Sequence, residues 1–198
     1  MKRGLKLLSA ALALLLLLLA GCAEENVQPT TPTTSLDNIQ TGPLSLGDRM
    51  PELNVTTPEG ETLVLSELLQ KKKVVVLNFW FADCIWCIRE FPVMEASYQK
   101  YKDDVEILAL NPFNSTDSIV TFAQEHSLSF PMASCSRDLA LTFGIGGYPT
   151  SVVIDREGKI CLIHSGAITE ARMFDQLFGT FTAEDYTSRV YNSISELF

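Results

Sequence analysis

The chain switches between strand-like apolar runs and segments with a helical period. "VVVLNFWF", residues 74–81, is almost wholly β-branched, leucine and aromatic, as in a strand buried on both faces. "VEILALN" (105–111) repeats that character, and "SFPMAS" (129–134) is a short third candidate. Between these runs, residues 87–102 place Ile88, Phe91, Met94 or Glu95, and Tyr98 on related helical faces, and Pro92 within them predicts a kink. "SIVTFAQEH" (118–126) and "SRDLALTF" (136–143) read as two more helices, the second closed by Gly144.

Hairpin signals bracket this region. "ELNVTT" and "ETLVLS" flank Pro58-Glu59-Gly60, and "TSVVID" and "KICLIH" surround Asp155-Arg156-Glu157-Gly158. "TEARMFDQLF" then puts Met173, Phe174, Leu177 and Phe178 on one helical face, and a last helix is expected over about 183–197, with Thr182 and Asp185 as a capping pair. Strand–helix alternation ending in a hairpin and helix predicts an α/β fold: a mixed central sheet with helices on both faces, preceded by a β-hairpin.

The N-terminus has a different grammar. Lys2, Arg3 and Lys6 precede an apolar stretch over residues 7–20 that exits through Leu19-Ala20-Gly21-Cys22. A charged start, a short apolar run and small exit residues form a secretory signal, here residues 1–21. The run is short for a membrane span, which needs about 20 residues. Leu-Ala-Gly-Cys resembles the bacterial lipoprotein processing box, which implies lipid attachment at Cys22 and anchoring outside the cytoplasm on the bacterial cell membrane. Residues 22–43 are rich in Thr, Pro and polar side chains and read as the lipidated cysteine and a linker. The folded domain is expected over 44–198.

Charge narrows the partners. Loss of residues 1–21 removes three basic residues and no acidic one, leaving 12 Lys and Arg against 24 Asp and Glu, a formal charge of −12. Such a domain is repelled by nucleic acid, which is excluded as a partner, and by anionic headgroups, so an anchor with a spacer is physically sensible. The Lys71–Lys73 run reads as a solvated turn before a strand. Four cysteines remain after Cys22: Cys84, Cys87, Cys135 and Cys161. They are too few and too unevenly spaced to staple a miniprotein.

Cys84 and Cys87 stand where a buried strand gives way to a helix. Cys84 falls at or just before the helix N-terminus, where free N–H groups and the helix dipole favour a thiolate, and Cys87 is one turn on. Cys-x-x-Cys thus activates one sulfur and keeps a second within reach, although zinc sites use the same spacing. With its flanks, "VVLNFWFADCIWCIREFP" resembles the active-site segment of the TlpA/ResA-like extracytoplasmic thiol-disulfide oxidoreductases of the thioredoxin superfamily. The matching positions are Asn78, Phe79, Trp80, Cys84, Cys87, Glu90 and Pro92. "GIGGYPTSVVIDREGKI" resembles that family's cis-proline loop and final hairpin, and the likeness spans roughly residues 44–180.

The resemblance implies a thioredoxin-like fold and a redox-active Cys84–Cys87 disulfide. It implies a cis peptide at Tyr148-Pro149, with Tyr148 and Pro149 meeting substrate; Trp86, which departs from the family pattern, is expected to meet substrate as well and shape partner choice. It also implies that Glu90 assists proton transfer; by itself Glu90 reads equally as a solvated helix residue. The expected partners are disulfides of exported proteins and a membrane-embedded thiol electron donor, for a monomer held to the membrane by its lipid. No cofactor or metal is expected. Asp83 stands where the family often has Trp, and Ile85-Trp86 replaces the common Gly-Pro or Glu-Pro. An acid beside Cys84 opposes its thiolate, and no His or Lys lies between the cysteines, which argues against a strong oxidant.

Two other readings compete. A peroxiredoxin-like peroxidase wants Thr or Ser three residues before its reactive cysteine, and Phe81 occupies that position. A thiol metal-binding module finds only half a zinc site in one Cys-x-x-Cys, and His126 and His164 have no spacing that completes it. Cys135 is expected to leave the sheet edge that carries Cys84, about 10 Å to the side, two strand spacings away, as a free loop cysteine. Cys161, between Ile160 and Leu162, reads as a small core residue.

Overall fold

A computed structural model describes residues 43–184 and 186. The signal segment, Cys22, the linker up to residue 42 and most of the expected last helix lie outside the described residues. Strands β1 (Asn54–Thr56) and β2 (Thr62–Val64) pair antiparallel, forming the expected hairpin. A five-stranded sheet follows, built from β3 (Val74–Phe79), β4 (Val105–Asn111), β5 (Met132–Ser134), β6 (Thr150–Asp155) and β7 (Ile160–Ser165). Its spatial order is β5-β4-β3-β6-β7, with β3, β4 and β5 parallel and the β6–β7 hairpin antiparallel.

Helices α1 (Leu65–Lys71), α2 (Ile85–Tyr101), α3 (Thr116–Glu125), α4 (Arg137–Thr142) and α5 (Ala171–Thr182) cover both faces. The β3–α2–β4 and β4–α3–β5 crossovers step in the same direction across the sheet. Crossovers of one hand therefore place α2 and α3 on the same face. Strand alternation divides the core accordingly. Val74, Val76 and Val153 join Phe91, Ile119, Phe122, Phe174 and Phe178 on the α2–α3–α5 face. Val75, Leu77, Phe79 and Val152 join Leu53, Leu65, Leu68 and Phe143 on the other. Every residue of β3 and β6 is buried, which is why their sequences read as continuous rather than alternating apolar runs.

Several boundaries differ from expectation. "ETLVLS" is a strand only to Val64; from Leu65 the chain is helical. Val64 makes no side-chain cap, and the Glu52 carboxylate accepts instead from the Ser66 N–H at 3.1 Å. That cap comes from 14 residues away, so no local signal announces α1. Lys71 closes α1, while Lys72 and Lys73 lie 3.9 Å from Glu106 and 3.4 Å from Asp104. The run is thus a helix end tied to the start of β4, not a free turn. Strand β3 stops at Phe79, two residues early, and α2 begins two residues early and runs unbroken past Pro92. Gly144 does follow α4, at φ +64°.

Candidate active site

The site grows from the turn between β3 and α2. Cys84 is the N-cap of α2, in extended backbone, and the Cys87 N–H donates to its sulfur at 3.1 Å. A sulfur in that position receives one of the helix's unpaired N–H groups and lies at the positive end of its dipole. The two cysteines form a disulfide with Cα atoms 5.2 Å apart. Cys87 is fully buried, whereas Cys84 keeps 5% of its surface exposed, so the outer sulfur is the one a partner can approach.

The Tyr148–Pro149 bond is cis. Thr150 pairs with Phe79 at the end of β3, which sets the loop beside the turn that carries Cys84. The loop is held from behind: the Pro149 carbonyl accepts from the Gly166 N–H at 2.9 Å, and the Thr150 hydroxyl donates to the Gly147 carbonyl at 2.8 Å. Tyr148, Phe81 and Phe113 form an edge-to-face trio with ring centroids 5.4–5.6 Å apart. Trp86 is 52% exposed, with the Arg89 guanidinium carbon 4.8 Å from its ring centre, and Arg137 stands 4.9 Å from that of Phe113. An apolar rim carrying two cations thus borders the disulfide in an otherwise acidic chain.

Glu90 is not a solvated helix residue. It is fully buried on the sheet side of α2, accepting from the Asn78 side chain at 3.0 Å and from the Ile168 N–H at 2.9 Å. Burial pushes its carboxyl up to about 7, against the opposing pull of those two hydrogen bonds, with no neighbouring charge involved. A carboxyl one turn beyond Cys87 and poised near neutrality is suited to exchange a proton.

Cys135 follows β5 at the sheet edge that carries Cys84 and remains free, half-buried against the core cluster on which Tyr148 also packs. Burial pushes its thiol up to about 12. Cys161 is buried in β7, donating to the Val153 carbonyl at 3.3 Å, and burial likewise pushes it up to about 12. Neither supplies a thiolate near neutral pH. Changing both to Ser is expected to leave exchange turnover largely intact, with any loss of thermal stability arising mainly at Cys161. Lost turnover in Cys135→Ser at unchanged stability would bring Cys135 into the mechanism. Among the described residues no three His, Cys, Asp or Glu side chains gather to hold a metal.

Sequence reasoning missed Phe113, Arg137, and the contact of Asn78 with Glu90. Phe113 had one signal, the run Asn111-Pro112-Phe113-Asn114 after β4. The Asn111 side chain accepts from the N–H groups of Phe113 and Asn114, while Asn114 accepts from the Ala82 N–H at 2.9 Å. That loop therefore braces the cysteine turn and presents Phe113 beside it.

A sheet of this order, with a helix-capping disulfide and a cis-proline loop at one edge, defines a thiol-disulfide oxidoreductase of the thioredoxin type. The chain belongs to the AhpC/TSA family, which it matches over residues 46–163. It is 37% identical to the thiol-disulfide oxidoreductase ResA of Bacillus thuringiensis over 59% of this chain and 68% of that protein. Identity to ResA of Bacillus subtilis is 31%, over 68% of this chain and 75% of the relative. Among solved structures, a putative thiol:disulfide interchange protein DsbE of Chlorobium tepidum superposes with TM-score 0.59 at 30% identity, covering 68% and 96% of the two chains.

Proposed function

We propose that the protein is a lipid-anchored reductase of disulfides in exported proteins, working outside the cytoplasm. The observation that carries this reading is the disulfide capping α2, with a buried carboxyl one turn beyond it. In the reduced enzyme the Cys84 thiolate attacks a target disulfide. One target sulfur joins Cys84 and the other leaves as a thiolate. Cys87 then gives its proton to ionised Glu90 and attacks the Cys84 sulfur. The second target sulfur is released, and the enzyme is left as the disulfide seen here. Two electrons pass to the target, and a membrane-embedded thiol donor restores the dithiol.

The target segment runs extended along Tyr148-Pro149, a short β-augmentation, with its apolar side chains against Trp86, Phe113 and Tyr148. The peroxidase reading is disfavoured at Phe81, which offers no hydroxyl to a peroxide and whose ring is packed among Phe113 and Tyr148.

Redox equilibration against glutathione tests the direction of transfer. Asp83 is exposed beside Cys84 and opposes the stabilisation its thiolate draws from the helix end. The couple is expected at about −200 to −280 mV, a donor's range. Asp83→Ala should raise it. A value near about −120 mV would replace the reductase with an oxidase.

Anchoring is tested separately. The mature chain is expected to sediment with membranes, and Cys22→Ser to block lipidation and processing at that position. A mature protein found wholly in the soluble fraction would remove the anchor from the proposal.

A further inference from the structure

The carboxyl of Glu90 belongs to a buried polar trio contributed by three elements. Asn78 of β3 and Ser151 of β6 stand directly opposite each other in the antiparallel pair, and alternation turns both toward the α2 face. The Asn78 amide nitrogen lies 3.0 Å from Glu90 Oε2 and 3.0 Å from Ser151 Oγ, so both of its hydrogens are used. Glu90 Oε1 accepts from the Ile168 N–H at 2.9 Å. Each carboxyl oxygen therefore faces a donor, the arrangement a carboxylate requires.

A site without a counter-charge must also accommodate the neutral acid, and the present arrangement does so poorly. A proton on Glu90 pointing at Ile168 or Asn78 would meet another hydrogen. The Ile168 N–H is fixed in the backbone. The Asn78 amide is not, because its oxygen and nitrogen ends are nearly the same size and exchange by a half-turn about Cβ–Cγ. Its buried oxygen has no hydrogen-bond partner among the described residues, so the turn breaks no bond to oxygen; it costs the two bonds from nitrogen and leaves the NH2 in the oxygen's unpartnered position.

We propose that Asn78 is a proton-linked rotor that presents nitrogen to the ionised Glu90 carboxylate and oxygen to the protonated carboxyl. After the half-turn, Asn78 Oδ1 accepts from the Glu90 O–H and from the Ser151 hydroxyl, which changes from acceptor to donor. No proton is gained or lost by Asn78 or Ser151; both bonds simply reverse direction. Asn78 is thus a positioning residue that supports Glu90 in both halves of a proton transfer. The catalytic consequence rests on the function proposed above, whereas the rotation itself does not.

The oxidised full-length chain gives the cleanest test, because Cys84 and Cys87 do not titrate in the disulfide. The other groups facing Glu90 are a neutral amide, a hydroxyl and a peptide N–H, and Arg89 on its own helix is exposed. With Glu90 carrying 13C at Cδ and Asn78 carrying 15N at its amide, both signals are followed between about pH 5 and pH 9, the span around a carboxyl displaced to neutrality. The Asn78 amide protons are expected to lose their close approach to Ser151 on acidification, with the midpoint of the Glu90 signal. Glu90→Gln adds a second arm. Its amide oxygen must face the Ile168 N–H, which turns N–H toward Asn78 and should hold Asn78 reversed even at high pH. Unchanged Asn78–Ser151 contacts across the Glu90 titration, or a Glu90 that does not titrate in this span, overturns the rotor. A rotor that turns while Glu90→Gln keeps full turnover would instead remove Glu90 from catalysis.

Discussion

Cys84→Ser is expected to bring disulfide exchange to background, while Cys87→Ser stops it one step later, with target protein joined to Cys84. The asymmetry follows from position. Cys84 caps α2 and keeps some exposed surface, so it can meet a target; Cys87 is fully buried and can reach only Cys84. Without Cys87 the mixed disulfide has no internal nucleophile, so its lifetime depends on external thiol. Non-reducing electrophoresis of Cys87→Ser, with mass spectrometry of the adducts, reads both the linkage and the trapped partners. Adducts that form on Cys87 in Cys84→Ser, at a rate matching those on Cys84, would reverse the assigned roles.

Glu90→Gln is expected to slow resolution by roughly 10²-fold, within the range that positioned acid–base groups supply. In the unmodified enzyme resolution should accelerate as pH rises through about 7, where Glu90 ionises and becomes able to take the Cys87 proton. The variant should lack that inflection. Stability should move the opposite way. Glu90 titrates at 4.5 in solution and about 7 in the fold, so between these values the folded state holds the proton more tightly than the unfolded chain. Its contribution to stability is complete below about 4.5 and is lost as pH rises through about 7, a change of order 3 kcal/mol. Denaturation of oxidised wild type and Glu90→Gln at both ends of that window gives the difference. Equal pH dependence in the two proteins would show that Glu90 titrates at its solution value.

Much of the scaffold was legible because it depends on local pattern. The apolar runs of β3 and β4, the β6–β7 hairpin around Asp155–Gly158 and the amphipathic face of α5 all announce themselves within a few residues. The Cys-x-x-Cys at the junction of a strand and a helix was legible for the same reason, but zinc sites share that spacing, and the redox disulfide followed from the family resemblance of its flanks. α1 was not, because its cap comes from Glu52 and its buried Leu65 and Leu68 pack on a core assembled from distant segments.

The identity of the site belonged to the sequence, and its electrostatics to the tertiary fold. A helical period assigns Glu90 to a turn of α2 but does not say what covers that turn. Its burial comes from the sheet and from Ile168, 78 residues away, and Asn78 meets Ser151 across a separation of 73. Phe113, on the loop after β4, and Arg137, at the start of α4, reach the rim from positions that follow from the order of parallel strands. Hydrophobic period is a property of near neighbours, whereas desolvation of a carboxyl is set by every group that displaces water from it, and those groups meet only once the sheet is assembled.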